Sequence, residues 1–329
     1  MRPFDYERAN SPDAALTAFE RDQATAFLAG GTTLVDLMKL DVMRPRRVVD
    51  INGLGADEIT LTDDHLRLGA SVHMADAENH AELRRRVPML TQSLALAAST
   101  QIRHMATLGG NVLQRTRCPY FRDVTWQACN KREPGSGCAA LNGFNRQHAV
   151  LGTSEACIAT YPGDFAQALI ALDATVNILG SDGRRRIPFS GLHAQPGQTP
   201  DIETTLAPGD LILGFEMPVA PWMRRSLYLK IRDRESYEFA LASAAVALDV
   251  ADGAIRQARI ALGGVATVPW RAGEAEQALI GRAPDEAACQ LAADIAFSGA
   301  SPRQHNAFKT MLGRETVVRA LLQAGGMEA

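Results

Sequence analysis

A window of four cysteines restricts this chain more than any other feature of its sequence. Four of the five cysteines fall within forty residues, and the fifth, Cys289, lies far away in an alanine-rich pattern typical of a buried helix. Residues 114–148 show neither helical nor strand periodicity. An irregular stretch of this length inside a compact domain is usually functional or disordered, and the cysteines favour a functional loop. The four are Cys118, Cys129, Cys138 and Cys157.

The spacing of these cysteines leaves several interpretations open. Ten, eight and eighteen residues separate successive members, so the window lacks the Cys-x₂-Cys pairs of ferredoxins and zinc ribbons. We favour a [4Fe–4S] cluster, because glycines let the loop wrap around a ligand and basic residues in the same stretch could offset the charge of four thiolates. A structural zinc ion and two disulfides remain alternatives, and four unrelated thiols fit the tight clustering least.

Composition excludes several classes of protein. The chain has 329 residues, enough for about two or three packed units, and its hydrophobic share of 46% and charged share of 22% are ordinary for a globular protein. The net charge of −3 gives no reason to expect a nucleic acid or an anionic membrane as partner. No apolar run is long enough to span a membrane, and residues 1–10 lack the apolar core of an export signal, so we expect neither a membrane span nor a signal of its own.

The order of helix and strand patterns predicts a mixed α+β chain. A β-turn-helix-β unit occupies residues 1–55, and period-two alternation over residues 59–72 predicts an antiparallel hairpin. Near residue 220 the composition shifts to three antiparallel strands followed by alanine-rich helices, so we predict a separate C-terminal α+β domain over residues 220–329. Residues 56–219 then form a middle unit, which carries the cysteine loop at about 114–157.

Two glycine-rich turns could bind phosphate groups. The first, residues 29–33, follows a strand pattern and opens a helix, and the second, residues 107–111, follows a helix pattern. Glycines let consecutive backbone N–H groups converge on an anion, and Thr or Asn side chains add further donors. Neither turn has the spacing of a Rossmann loop or a P-loop. Each Gly-Gly pair alone could simply permit a tight turn, but two turns of the same character in the first third of the chain favour a shared diphosphate.

The residues around both turns resemble one protein family. Phe27-Leu28-Ala29-Gly30-Gly31-Thr32-Thr33-Leu34 and the later segment 102–111 are similar, in order and spacing, to the medium, FAD-binding subunits of the xanthine dehydrogenase and molybdenum hydroxylase family. Tyr161-Pro162-Gly163-Asp164 resembles the segment whose Asp, in the family, holds the ribityl chain or ring of the flavin. The resemblance continues through residues 211–218 and Lys230, and so covers almost the whole chain.

The resemblance implies a fold and a flavin site. The fold is α+β, with a two-subdomain FAD-binding unit of the vanillyl-alcohol-oxidase type followed by a C-terminal domain with a small antiparallel sheet and helices. Residues 1–55 and 56–219 are then the two FAD-binding subdomains, and residues 220–329 are the C-terminal flavoprotein domain. The residues expected to contact FAD are Ala26, Phe27, Leu28, Ala29, Gly30, Gly31, Thr32, Thr33, Leu34, Thr107, Leu108, Gly110, Asn111, Asp164, Ile212 and Lys230.

The cysteine window departs from most medium subunits and matches a subset of the family. The flavin subunits of three-subunit periplasmic aldehyde oxidoreductases and of 4-hydroxybenzoyl-CoA reductases carry an additional [4Fe–4S] cluster near the flavin, and this likeness favours a cluster over zinc. The expected ligands are the four cysteines of the window. Cys157 precedes Asp164 by seven residues, so their Cα atoms lie at most ~25 Å apart and a cluster would have to lie near the flavin.

The resemblance also implies a function in which this chain needs no catalytic residue of its own, and we predict none. In the family, a large subunit oxidises aldehydes or heterocycles at a molybdenum cofactor, and a small subunit carries two [2Fe–2S] clusters. The medium subunit then passes electrons through FAD to an external acceptor. We therefore expect a FAD- and [4Fe–4S]-containing electron-transfer subunit of a heterotrimeric, molybdenum-dependent aldehyde oxidoreductase, exported to the periplasm with a signal-bearing partner.

Three alternatives remain open at this point. The chain could be the flavin subunit of a hydroxybenzoyl-CoA-reductase-like enzyme. It could be a scaffold that is stabilised by zinc or a cluster and binds partner subunits without flavin. It could also be a self-sufficient flavoenzyme, which would show turnover by the isolated chain.

Overall fold

The first unit of the computed structural model, which describes residues 1–20 and 24–328, is a small parallel sheet. Its elements are β1 (Asp5–Arg8), α1 (Pro12–Glu20), β2 (Thr25–Leu28), α2 (Leu34–Lys39) and β3 (Arg47–Asp50). Strand β3 lies between β1 and β2 and pairs with both in parallel. Ser11 caps α1, because its hydroxyl accepts from the N–H of Ala14 at 3.1 Å. The unit therefore delivers the end of β2 directly into the first glycine-rich turn.

The second unit is a five-stranded antiparallel sheet covered by helices. Its strands are β4 (Ile59–Leu61), β5 (His65–Gly69), β6 (Thr175–Gly180), β7 (Gly183–Pro188) and β8 (Leu211–Pro218), in the order β4-β5-β8-β6-β7. Its helices are α3 (Met74–Asn79), α4 (Ala81–Arg86), α5 (Pro88–Ala95), α6 (Thr100–Met105), α7 (Leu108–Val112), α8 (Pro119–Arg122) and α9 (Phe165–Ala171). The predicted hairpin is present as β4 and β5, with Ile59 opposite Leu68. The inward side chains of the sheet and of α5 and α9 form one buried core.

The third unit is a four-stranded antiparallel sheet with three helices. Its elements are β9 (Ser226–Ile231), β10 (Ala242–Ala251), β11 (Ala254–Gly263), β12 (Trp270–Arg271), α10 (Gly273–Leu279), α11 (Glu286–Ala296) and α12 (Phe308–Gly325). Strand β10 is buried on both faces: Ala244 and Val246 belong to the core under the C-terminal helices, while Ala245 and Ala247 belong to the core of the second unit. Small side chains suit a strand that is covered on both sides. This sheet therefore joins the second and third units, and the domain boundaries near residues 55 and 219 stay predictions.

The cysteine segment, defined here as residues 114–157, runs between α7 and α9 and consists mostly of turns around α8. Gly135 and Gly137 have φ values of +86° and +97°, which glycine adopts without the strain that other residues would suffer. Across residues 1–20 and 24–328, every helix is too short or too polar to cross a membrane.

Candidate functional site

The two glycine-rich turns lie directly against each other where the first and second units meet. A Cβ atom on Gly30 would overlap the backbone carbonyl of Met105, the last residue of α6, so a side chain has no room there. Gly31 has a φ of +72°, again in the left-handed region. The turn that follows β2 is therefore a bare backbone surface packed against the segment that leads into residues 107–111.

The second turn is fixed by Thr107 and leaves one buried acceptor without a partner. The Thr107 hydroxyl accepts from the N–H of Gly110 at 3.2 Å, at the start of α7. Asn111 lies on the same short helix, with its Nδ2 at 3.3 Å from the Met74 sulfur. The buried Oδ1 of Asn111 has no hydrogen-bond partner among the described residues. Since buried polar atoms are nearly always paired, this oxygen fits a site where a ligand supplies the donor.

Two clefts meet at these turns and together form what we call the groove. Both are lined by Thr32, Thr33, Ala106 and Gly110. The first cleft has a volume of about 390 Å³ and walls that are mostly apolar, from β2, β8 and the residues after β3. The second has a volume of about 580 Å³ and more polar walls, from α2, α7 and the loop after β9. A groove of this shape suits a long ligand with a charged centre and a larger group at each end.

Most of the residues predicted to contact FAD line the groove. The first cleft includes Ala26, Phe27, Ala29, Gly30, Gly31, Thr32, Thr33, Leu34, Thr107, Gly110 and Ile212, and the second adds Asn111 and Asp164. The side chains of Leu28, Leu108 and Lys230 do not line either cleft. Leu108 is fully buried in the core of the second unit. The structure thus brings together residues from four separate parts of the sequence.

Asp164 lies in the wall of the second cleft and is held by two side chains of β9. Its Oδ1 accepts from the hydroxyl of Tyr228 at 2.6 Å, and its Oδ2 accepts from Nζ of Lys230 at 2.8 Å. Lys230 also donates to the carbonyl of Leu96 at 2.9 Å, and its side chain is 1% exposed. Burial and the Asp164 carboxylate raise the pKa of Tyr228 well above its ordinary range. Lys230 therefore lies behind Asp164, and Tyr228 is a site residue that the sequence analysis missed.

Asp36 of α2 connects the second cleft with the cysteine segment. Its Oδ2 lies 3.2 Å from Nη1 of Arg117 and 2.8 Å from Nη1 of Arg122. Burial opposes ionisation of Asp36, but the hydrogen bonds and charges of Arg122 and Arg117 outweigh it and hold the pKa of the carboxyl below its ordinary value. Arg117 and Arg122 stand on either side of Cys118 in the sequence. The same ion pairs thus tie the groove to the segment.

The four cysteines of the window converge in the structure. Cys129 and Cys138 pair as an isolated antiparallel bridge, and Cys157 lies close enough to Cys138 for the two thiols to shift each other's pKa. Cys118 lies close enough to Cys129 and Cys138 for their charges to affect its pKa. All five cysteines lie in the described part of the chain, and each is free of a disulfide. Cys289 is fully buried in the core under the C-terminal helices, as the sequence suggested.

The thiols of this group differ in how readily they ionise. A side-chain hydrogen bond with Cys157 lowers the pKa of Cys138 to about 6, in spite of burial. The same hydrogen bond, together with burial, raises the pKa of Cys157 above its ordinary range. Burial raises the pKa of Cys118 to about 12. Because metal ligation requires thiolates, ligand binding at this position would release protons.

The geometry does not by itself identify a metal. Within residues 1–20 and 24–328, no three His, Cys, Asp or Glu side chains are arranged as the ligands of one metal ion. The ligand set predicted from the sequence therefore stays a prediction.

The basic residues of the cysteine segment are mostly paired with carboxylates. Arg115 and Lys131 both bind Glu203, and Arg146 binds Asp233. Together with the pairing of Arg117 and Arg122 to Asp36, this means that most of these charges are already compensated. They can therefore offset the charge of four thiolates less than the sequence suggested.

Two further residues next to the cysteines were missed by the sequence analysis. Nε2 of His148 lies 3.1 Å from the sulfur of Cys118, and burial and the charge of Lys309 lower the pKa of His148 to about 4. Lys309 of α12 is fully buried, and its Nζ donates to the carbonyls of Gln147, His148 and Gly264 at 3.0, 3.1 and 2.7 Å. Burial lowers the pKa of Lys309 to about 7. A single lysine in a helical pattern carries no local signal of this contact.

Cys118 lies beside the groove without lining either cleft. It lines a small cavity of about 40 Å³ together with Arg117, Gln147, Pro162 and Phe239. These four residues also line the second cleft. The groove and the cysteine group thus share walls.

Comparison with known sequences relates the whole chain to one group of proteins. Residues 2–220 match the profile described as the FAD binding domain in molybdopterin dehydrogenase, and residues 227–324 match the CO dehydrogenase flavoprotein C-terminal domain. The aldehyde oxidoreductase FAD-binding subunit PaoB of Escherichia coli strain K12 is 46% identical over 326 residues, which cover 98% of this chain and 99% of that protein. The glyceraldehyde dehydrogenase medium chain of Sulfolobus acidocaldarius is 26% identical over 280 residues, covering 85% of this chain and 82% of that protein.

Solved structures share the fold. The reconstituted CO dehydrogenase of Oligotropha carboxidovorans matches with a TM-score of 0.78 and 23% identity, covering 100% of both chains. The carbon monoxide dehydrogenase of Hydrogenophaga pseudoflava that lacks the Mo-pyranopterin moiety of its cofactor matches with a TM-score of 0.76 and 25% identity, covering 98% of this chain and 97% of that one. These likenesses confirm the predicted α+β fold with its C-terminal antiparallel sheet and helices.

Proposed function

Because the chain belongs to the family of FAD-binding medium subunits of molybdenum hydroxylases, we propose that it is the FAD- and [4Fe–4S]-containing electron-transfer subunit of an aldehyde oxidoreductase. Membership makes it a FAD-binding subunit of an oxidoreductase complex. The cluster, the three-subunit assembly and the external electron acceptor are the parts that we add.

The groove suits FAD in one orientation. The bare backbone of the two glycine-rich turns would bind the diphosphate, the apolar first cleft would hold the adenosine, and the polar second cleft would hold the ribityl chain and the flavin ring. A side chain has no room at Gly30 because the turn packs on the Met105 carbonyl, and this packing holds the two turns side by side. The unpaired Oδ1 of Asn111 would accept a hydrogen bond from the ligand. When bound, the flavin supplies the redox chemistry, and the chain supplies position and electrostatics.

Asp164 would orient the flavin end of the ligand. Its two oxygens are fixed by Tyr228 and Lys230, and a carboxylate can accept about four hydrogen bonds, so acceptor capacity remains for a ribityl hydroxyl. Lys230 lies behind Asp164 and pairs with its Oδ2 at 2.8 Å, so it fixes the carboxylate without lining the cleft itself.

The convergence of the four cysteines is the observation that carries the cluster proposal. Cys118, Cys129, Cys138 and Cys157 come together from a stretch with little regular structure, although successive members are separated by up to eighteen residues. The low pKa of Cys138 makes one thiolate available near neutral pH. The residues that line both the small cavity at Cys118 and the second cleft would put such a cluster beside the flavin.

The proposed partners follow from membership of the family. They are a large subunit with a molybdenum cofactor, a small subunit with [2Fe–2S] clusters and an external electron acceptor. We also propose a periplasmic location, reached by export with a signal-bearing partner, which fractionation of the native cells would test.

Cysteine substitution combined with cofactor analysis tests the proposal. The full chain would be purified without air, and FAD, iron, acid-labile sulfide and zinc would be measured for wild type, for alanine at Cys118, Cys129 or Cys138, and for Cys289→Ala as the matched control. We expect about one FAD with about four iron and four sulfide in wild type and in the control. Each of the three ligand variants should lose iron and sulfide and keep FAD.

Two results would contradict the proposal in different ways. If the chain contained FAD with zinc, or FAD with no metal, it would be a flavoprotein whose cysteines have only a structural role. A chain that still binds partner subunits but holds no flavin would favour the scaffold instead.

A further inference from the structure

We propose that His148 is a positioning residue for the cluster site, which donates a hydrogen bond from Nε2 to the Cys118 thiolate and thereby raises the reduction potential of the cluster. The inference rests on the proposed function, because it requires a cluster bound to Cys118. It assigns a role to a residue outside the four ligands and outside the groove.

The direction of the hydrogen bond follows from chemistry. Nε2 of His148 lies 3.1 Å from the Cys118 sulfur. A cysteine bound to iron is a thiolate and can only accept, so the contact persists as a hydrogen bond only if Nε2 carries the hydrogen. Nδ1 is buried and has no hydrogen-bond partner among the described residues, so a second ring proton would be buried without an acceptor. The arrangement therefore selects the neutral imidazole with its hydrogen on Nε2.

The backbone of His148 is held on both sides, so the ring cannot easily turn away. Its N–H donates to the carbonyl of Asn145 at 3.0 Å, and its own carbonyl accepts from Nδ2 of Asn306 at 3.3 Å and from Nζ of Lys309 at 3.1 Å. The ring packs beside Tyr120, with centroids 6.0 Å apart. Asn306 and Lys309 lie far along the chain, at the start of the C-terminal helix. A group fixed in this way is pre-organised to donate to the sulfur.

The hydrogen bond from His148 matters because the basic residues nearest to the cysteines are already paired with carboxylates. The arginines and the lysine nearest to the cysteines are engaged with Asp36 and Glu203, so they compensate little of the charge that four thiolates would bring. Hydrogen bonds to the sulfurs and the net charge are among the terms that set the potential of an iron–sulfur cluster. A donor to sulfur stabilises the more negative, reduced state more than the oxidised state, and so raises the potential.

His148 donates to the cysteine that lies beside the groove, where the flavin would bind. Cys118 shares a small cavity with Arg117, Gln147 and Pro162, and these residues also line the second cleft. His148 thus acts on the cysteine at the groove side of the group. It would adjust the difference in potential between the cluster and the flavin.

A redox titration tests the inference on the full chain purified without air. The electron paramagnetic resonance signal of the reduced cluster would be followed against potential in wild type, His148→Phe, His148→Gln and the control His305→Phe. The backbone N–H groups of His305 and His148 both donate to Asn145, but the His305 ring packs on Phe144 rather than on a cysteine. If His148→Phe retains iron and sulfide, we expect the equilibrium constant for reduction of its cluster to be about tenfold lower. This corresponds to a reduction potential about 59 mV lower for a one-electron couple. His148→Gln keeps an N–H donor and should restore most of the difference, and the control should match wild type.

The outcomes separate the two proposals. A His148→Phe protein with a full cluster at the wild-type potential would overturn the role of His148 and leave the cluster intact. Wild-type protein without iron and sulfide would overturn the cluster itself, and the inference with it. If His148→Phe fails to hold a cluster, ¹⁵N-labelled histidine in wild type decides: a nitrogen coupling to the reduced cluster in pulsed spectra supports the hydrogen bond, and its absence overturns it.

Discussion

The groove and the cysteine segment are neighbouring parts of one molecule, but they are stabilised in different ways. The groove is built by turns whose own residues set the backbone, such as Gly31 with its φ of +72° and Thr107 capping Gly110. The cysteine segment has little regular structure, and distant groups hold it, above all Lys309 at the carbonyls of Gln147 and His148. The groove therefore depends on local sequence and the segment on tertiary contacts. Flavin binding and cluster binding should accordingly fail independently.

The largest expected effect is at the groove. In Gly30→Ala the added Cβ has no room against the Met105 carbonyl, so the two turns must separate. We expect the FAD content to fall about tenfold or more and the free energy of unfolding to fall by roughly 2–4 kcal/mol. Flavin absorbance measures the FAD content, and denaturant unfolding measures the free energy of unfolding. Gly53→Ala is the control, because the nearest atom to its added Cβ lies at 3.5 Å. Normal FAD content in Gly30→Ala would contradict the packing of the two turns.

The matching test of the cysteine segment is Lys309→Met. The substitution removes the donor of three buried carbonyls, so we expect a loss of roughly 3 kcal/mol in the free energy of unfolding. Iron and sulfide should fall while FAD stays bound. Lys39→Met, at an exposed position at the end of α2, is the control. Equal losses of FAD and iron would show that the two regions are not independent.

Lys309 also predicts a dependence of stability on pH. Burial, followed by the charge of Arg146, lowers its pKa from 10.5 to about 7. Between these values the unfolded chain binds a proton that the folded chain has lost, so stability rises with pH across this window. The difference in the free energy of unfolding between wild type and Lys309→Met should therefore increase, in favour of wild type, from about pH 7 to about pH 10. A constant difference between the two proteins would mean that Lys309 does not titrate in this range.

The smallest expected effect is at Tyr228. In Tyr228→Phe the Asp164 carboxylate loses one of its two side-chain donors and keeps Lys230. We expect about a fivefold weaker affinity for FAD, which corresponds to roughly 1 kcal/mol for one hydrogen bond, with iron unchanged. Titration of flavin-free protein with FAD measures it. The control is Tyr6→Phe, because Tyr6 makes a similar bond to Asp50 at an exposed position. An unchanged affinity in Tyr228→Phe would contradict the proposal that Asp164 contacts the flavin.

The groove could be predicted from the sequence to a large extent, because its chemistry is local. The glycine-rich turns and the period-two strands appear as short patterns, and the structure joins them as expected. Ile212 and Asp164 required the family resemblance, since nothing in their own neighbourhood indicates that they reach the same groove. Tyr228 could have been found, because it lies two residues from Lys230 and thus on the same face of β9.

The surroundings of the cysteines could not be predicted in the same way. The contact of His148 with Cys118 spans thirty residues, and that of Lys309 with His148 spans more than a hundred and fifty. Neither leaves a periodic signal. The joining of two cores by β10 was hidden for a related reason: alanines on both faces of a strand give no alternation.

The Mössbauer spectrum of the full chain, produced with ⁵⁷Fe and purified without air, would show directly whether the four cysteines hold an iron–sulfur cluster. We expect the spectrum of a [4Fe–4S] cluster in protein that also contains FAD, and loss of that spectrum in Cys129→Ala but not in Cys289→Ala. A FAD-containing protein in which the four cysteines hold zinc, or no metal, would contradict this expectation.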